Sequence, residues 1–122
     1  MSSTLIVSPN GPLRRRIAGA VALSEEPRGR SVGDADGAAE LCRLNPPSAV
    51  VLDVTIGERP ARAVLELVLE RTPDARVVLC ATVDQLPEVR RLLVAGAADV
   101  VLVPFVPDAL ARKLARPVAS AL

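Results

Sequence analysis

The sequence predicts an α/β domain, a doubly wound parallel sheet built from five strand–helix units. Three observations predict it. Apolar runs of strand length alternate with longer segments of helical period along the 122 residues. The runs are continuous rather than alternating, as strands covered by helices on both faces require. The apolar composition is mostly Val, Leu, Ile and Ala, with Phe105 the single aromatic residue and Tyr and Trp absent. Such a core suits a parallel sheet packed by Ala-rich helices.

The first strand is read at Leu5-Ile6-Val7 and the third at Ala49-Val50-Val51-Leu52. Val77-Val78-Leu79 supplies the fourth and Val100-Val101-Leu102-Val103 the fifth. The second, near Arg28 to Val32, is mostly polar and therefore belongs at a sheet edge. The first helix follows Asn10-Gly11-Pro12, a capping residue with Pro in the first turn, and buries Leu13, Ile17, Ala20 and Val21. A second runs from about Asp36 to Leu44 and stops before Asn45-Pro46-Pro47. The third, about Pro60 to Arg71, carries Val64, Leu65, Leu67 and Val68. The fourth spans about Leu86 to Ala95 and ends at Gly96, a left-handed cap. The fifth starts near Pro107-Asp108 and is kept short by Pro117. Five such units with right-handed crossovers predict the flavodoxin-like strand order 2-1-3-4-5. Residues 1–122 are read as one domain with a short tail over about 117–122.

Composition excludes several functions. The formal charge is +1, from 15 basic and 14 acidic residues, so no bulk field draws nucleic acid or anionic lipid. Without Tyr or Trp there is no stacking platform for single strands, and with Phe105 the single aromatic residue flavin binding ranks only third among the readings. Histidine is absent and Cys42 and Cys80 have no metal spacing, so no zinc site is expected and imidazole acid–base chemistry is ruled out within the chain. No apolar run reaches the roughly 18 residues that span a bilayer, and no signal peptide is recognised. The expected location is cytoplasmic, with both thiols reduced.

On this fold ligands meet the carboxyl ends of the strands. Those ends read Val7-Ser8-Pro9-Asn10, Leu52-Asp53-Val54-Thr55, Leu79-Cys80-Ala81-Thr82 and Leu102-Val103-Pro104-Phe105. Together with Asp36-Gly37 and the ending Ala95-Gly96-Ala97-Ala98-Asp99…Val103-Pro104-Phe105, they resemble a bacterial response-regulator receiver of the chemotaxis-regulator kind. The resemblance covers nearly the whole chain. It implies a bacterial signalling domain, not an enzyme, in which Asp53 stands where the family accepts a phosphoryl group from a histidine kinase. It also implies a cis peptide before Pro104.

The supporting positions depart from the family's pattern. Ser8 and Pro9 replace the acids that hold Mg²⁺, which prefers several oxygen ligands including one or two carboxylates. Val103 replaces the lysine, Cys80 is assigned to the hydroxyl position and Val100 to the aromatic switch. The expectation is a pseudo-receiver without a cofactor, which works by binding another protein and not through nucleic acid or membrane. The partner is a kinase, an output domain or a second copy in a homodimer. The alternative is an atypical regulator phosphorylated at Asp53 with Mg²⁺. No DNA-reading helix-turn-helix is recognised, so control of transcription by this chain alone is not expected. Arg91, Leu92, Val101 and Arg112, on the fourth helix, fifth strand and fifth helix, are the interface candidates. Asp53 is expected to accept hydrogen bonds from Ser8, Thr55 or nearby N–H groups, the cysteines to be packing residues, and Arg14-Arg15-Arg16 to be a solvated helix face.

Overall fold

In the computed structural model, which describes residues 3–24 and 29–115, the apolar runs become a five-stranded parallel sheet. The elements are β1 (Thr4–Val7), α1 (Gly11–Val21), β2 (Gly29–Val32), α2 (Ala35–Leu44), β3 (Ala49–Asp53), α3 (Glu58–Arg71), β4 (Arg76–Ala81), α4 (Leu86–Val94), β5 (Asp99–Leu102) and α5 (Pro107–Ala115). The sheet order is β2-β1-β3-β4-β5, every pair parallel. This is the flavodoxin-like architecture that the alternation predicts. The tail expected over 117–122, and Arg28 of the second strand, lie outside the described residues.

β1, β3 and β4 are buried on both faces because they lie inside the sheet. Their alternating side chains divide the core in two. Leu5, Val7, Val50, Leu52, Val77, Leu79 and Ala81 pack against α2, α3 and α4. Ile6, Val51, Val78, Cys80 and Val101 pack against α1 and α5. Each fully buried Leu or Ile stabilises the fold by roughly 1.5–3 kcal/mol. The polar β2 occupies one edge, where its outer face meets water.

Helix ends follow their capping chemistry. Asn10 accepts the Leu13 N–H through its side chain at 3.0 Å and starts α1, with Pro12 in the first turn. Asp34 does the same for Gly37 at 2.7 Å, so α2 begins at Ala35 rather than Asp36. Short 3-10 turns at Val54–Ile56 and Val83–Gln85 follow β3 and β4. Gly96 has φ 126°, a conformation L side chains rarely adopt, and a Cβ there would lie 2.6 Å from Leu69 Cδ1, the movable end of a side chain, so backbone strain is the stronger reason for glycine.

At the amino end of β5, Asp99 bonds Lys113 Nζ at 3.1 Å and faces Arg76 at 3.9 Å, tying α5 to β4 and β5. Burial pushes the Asp99 carboxyl up. The Val100 N–H, Lys113 and Arg76 outweigh that effect, and its pKa is lowered. The chain's one lysine is thereby committed at the opposite end of the sheet from the strand tips.

Candidate functional site at the strand tips

Parallel pairing brings the last residues of β1, β3 and β4 together. Val7 pairs with Leu52, and Asp53 with Cys80, so Ser8 follows directly beside Asp53. Asp53 is 1% exposed. Its Oδ2 accepts the Ser8 hydroxyl at 2.6 Å. Its Oδ1 accepts both the Thr55 N–H at 2.9 Å and the Thr55 hydroxyl at 2.7 Å. Ser8 is itself fully buried, and its Oγ receives the Asn10 N–H at 3.2 Å. The carboxyl group is therefore held on both oxygens by the chain's own donors, which is how a buried polar group avoids the cost of lost hydration.

Arg14 belongs to the same region. Its Nη1 donates to the Ser8 carbonyl at 2.7 Å, and a Cβ on Gly33 would come within 3.3 Å of that nitrogen. This corrects the reading of Arg14-Arg15-Arg16 as one solvated face: Arg14 is half-buried at the β1 tip, while Arg15 and Arg16 are exposed. The missed signal is positional. Arg14 lies in the early turns of a helix that leaves the tip of β1, and an arginine is long enough to reach back to it.

The other predicted positions divide between the two sheet faces. Cys80 stands opposite Asp53 on the α1/α5 face. Burial, and then the charge of Asp53, pushes its thiol up to about 12, so it is no nucleophile. Burial likewise raises the Cys42 thiol. Val103 lies just beyond β5 and packs with Phe105 against the same face as Cys80, offering no cation. Val100 packs on the opposite face, which it shares with Ala81 and not with Cys80. The Val103–Pro104 peptide is cis. Pro9 is exposed and lines, with Gly33, Asp36, Thr55 and Arg59, a cleft of ~680 Å³ beside the Asp53 cluster.

Two of the four interface candidates are core residues. Leu92 is 0% exposed and Val101 5%, because α4 and β5 turn these side chains inward. Arg112 is exposed. Arg91 is exposed but held by Glu58, through Nε at 2.6 Å and Nη2 at 2.8 Å.

No protein-family description matches this chain, and no curated protein matches it in sequence. Solved structures do. The receiver domain of NtrX from Brucella abortus superposes with a TM-score of 0.80 at 24% identity, over 93% of this chain and 99% of that one. The N-terminal signal receiver domain of a two-component response regulator from Bacteroides fragilis gives 0.80 at 18% identity, over 93% of each chain. The beryllofluoride-activated DrrB receiver domain gives 0.78 at 20%, again over 93% of each. This is the receiver fold. Against a longer NtrX structure the match covers 90% of this chain and 25% of that one. At these identities the likeness establishes the fold, and the residues at the strand tips decide the chemistry.

The Mg²⁺ that the receiver resemblance implies does not fit those residues. Asp53 is the one carboxyl in the cluster, and both its oxygens already accept hydrogen bonds. The Ser8 carbonyl is taken by a guanidinium. Among the described residues no group of three or more His, Cys, Asp or Glu side chains is arranged to hold a metal ion. Nor, among the described residues, is any helix long and apolar enough to cross a membrane.

Proposed function

We propose that this chain is a receiver-like signalling module that works by protein–protein contact, without phosphoryl transfer and without a metal. One observation carries the reading: the buried Asp53 carboxyl is held on both oxygens by the hydroxyls of Ser8 and Thr55 and the Thr55 N–H. Phosphoryl transfer to a carboxylate depends on neutralising the incoming charge with metal and cation. Here an acceptor would have to break three hydrogen bonds, with Val103 where a lysine is needed and Lys113 bound to Asp99. The module is not an enzyme and acts in the bacterial cytoplasm.

The partner is another signalling protein or a second copy of the chain. The surface of α4, β5 and α5 supports this, although different side chains form it than the sequence suggests. Leu86, Leu102 and Val106 are exposed there, whereas Val94 lines a cleft with Arg62 on the α3 side of α4 and Arg112 one with Leu23 on the α1 side of α5. Exposed apolar side chains on adjoining elements are what a partner face needs, and rim charges set its register.

The competing reading, phosphorylation of Asp53 by a histidine kinase with Mg²⁺, draws support from the fold and from a neighbour seen in a beryllofluoride-activated form. The two part at Asp53→Asn. Under the contact reading the variant binds its partner, or self-associates, as the parent does. A loss of signalling in Asp53→Asn, matched by a phosphoryl adduct on the parent in intact-mass measurement, would establish the competing reading.

A further inference from the structure

We propose that the carboxyl ends of α2 and α3 form a second docking surface, arginines without carboxylate partners around Leu44, which takes an acidic protein segment carrying an apolar side chain. It lies at the amino ends of the strands, away from the strand tips and from the surface of α4, β5 and α5, and is independent of the reading of Asp53. Arg30 pairs with Leu5 near the start of β2, and alternation puts its side chain on the face that Val32 shares with α2. There its Nη2 donates to Ser3 Oγ at 3.0 Å and to the Asn45 carbonyl at 2.9 Å, just past the end of α2. Both acceptors are neutral, and its buried Nε has none among the described residues. Arg43 and Arg71 stand in the last turns of α2 and α3, both exposed and, among the described residues, in no ion pair. The buried Cys42 thiol shows that the three act in one place: burial raises its pKa, and the charges of Arg30, Arg71 and Arg43 oppose that rise. Among the described residues no carboxylate acts on Cys42, whereas Asp53 does act on Cys80. The two helix ends offset about half an elementary charge each, which leaves three guanidiniums in excess. Leu44, between Arg43 and Asn45, is 74% exposed. Arginine forks pair with carboxylates through two parallel bonds. Clusters that hold anionic lipid use about 4–8 basic residues, and nucleic acid demands many phosphate contacts. Three arginines beside a leucine fall short of both and complement carboxylates flanking an apolar side chain.

The test titrates a fluorescein-labelled peptide of alternating glutamate and leucine with the full chain at low salt, followed by anisotropy. Saturable binding is expected, weakened about fivefold or more when Arg43→Gln and Arg71→Gln are combined, and weakened also in Leu44→Ser. Arg15→Gln combined with Arg16→Gln removes the same charge from α1 and should bind within about twofold of the parent. No saturable binding would overturn the proposal, and equal losses in the two arginine pairs would reduce it to overall charge. An unchanged affinity in Leu44→Ser would remove the apolar anchor and overturn the class of partner. Vesicles of phosphatidylserine and duplex DNA are titrated in parallel. Tighter binding of either, lost in the Arg43 and Arg71 pair, would overturn the protein segment as occupant. The parent supplies a reading that no variant's folding can disturb: peptide-induced amide shifts should centre on residues 43–45 and 71, and shifts confined elsewhere would overturn the surface.

Discussion

Asp53 is buried and receives three donors, and the value of each depends on what its removal strands. Ser8→Ala leaves Oδ2 without a partner at 1% exposure, which is expected to cost about 1–3 kcal/mol. Thr55→Val keeps the Thr55 N–H on Oδ1 and is expected to cost less, about 0.5–1.5 kcal/mol. Because the chain lacks Tyr and Trp, urea unfolding followed by far-ultraviolet circular dichroism is the measurement for both. Equal costs would mean that Ser8 is not the principal donor. Cys80 gives a pH dependence with a definite sign. Its folded pKa is raised from 9.0 to about 12, so the contribution to stability is complete below pH 9 and lost as pH climbs toward 12. The stability difference between the parent and Cys80→Ala should therefore be flat from pH 6 to about 8.5 and shrink above pH 9. A native thiol that reacts quickly with a disulfide reagent at pH 8 would contradict the burial assigned to it.

At the scale of the element, Gly96 ends α4 in a conformation that L side chains rarely adopt. Gly96→Ala is expected to lose about 1–2 kcal/mol from backbone strain alone. Adding Leu69→Ala should remove the clash with Cδ1 without restoring that loss, as paired unfolding curves will show. The same element shows why some of the structure was legible in the sequence and some was not. Continuous apolar runs specify β1, β3 and β4 because burial on both faces leaves no position for polar residues. Asn10 and Gly96 announce helix ends through capping chemistry that is local in sequence. What lay hidden depends on which way a side chain turns. Leu92 and Val101 read as surplus apolar residues at a surface, yet helix rotation and strand pleat send both into the core. Cys80 and Val100 stand at the hydroxyl and aromatic-switch positions that the resemblance assigns, and the pleat puts them on opposite faces. At the tip, Ser8 is readable as a donor to Asp53 because strand order brings it close, and Thr55 because it follows two residues later in the chain. Arg14 is not, since its bond to the Ser8 carbonyl depends on a rotamer that no periodicity encodes.

Across the whole molecule, the proposed function puts the working contact at the surface of a nearly neutral chain. The exposed apolar residues separate cleanly from the core. Val106→Asp, in the loop before α5, is expected to leave stability within about 0.5 kcal/mol and to weaken partner binding or self-association. Leu92→Ala should do the reverse, costing about 2–5 kcal/mol while leaving contact at the folded surface intact. Sedimentation equilibrium alongside unfolding curves distinguishes the two effects, and a stability loss in Val106→Asp would place that residue in the core instead. The central claim is that Asp53 is closed to phosphoryl groups. Its most direct measurement is a titration of the parent protein with Mg²⁺ and beryllofluoride, read in the amide resonances of Ser8, Asp53, Thr55 and Cys80. The expected result is a flat titration. Saturable shifts that disappear in Asp53→Asn would contradict it and establish Asp53 as a working acceptor.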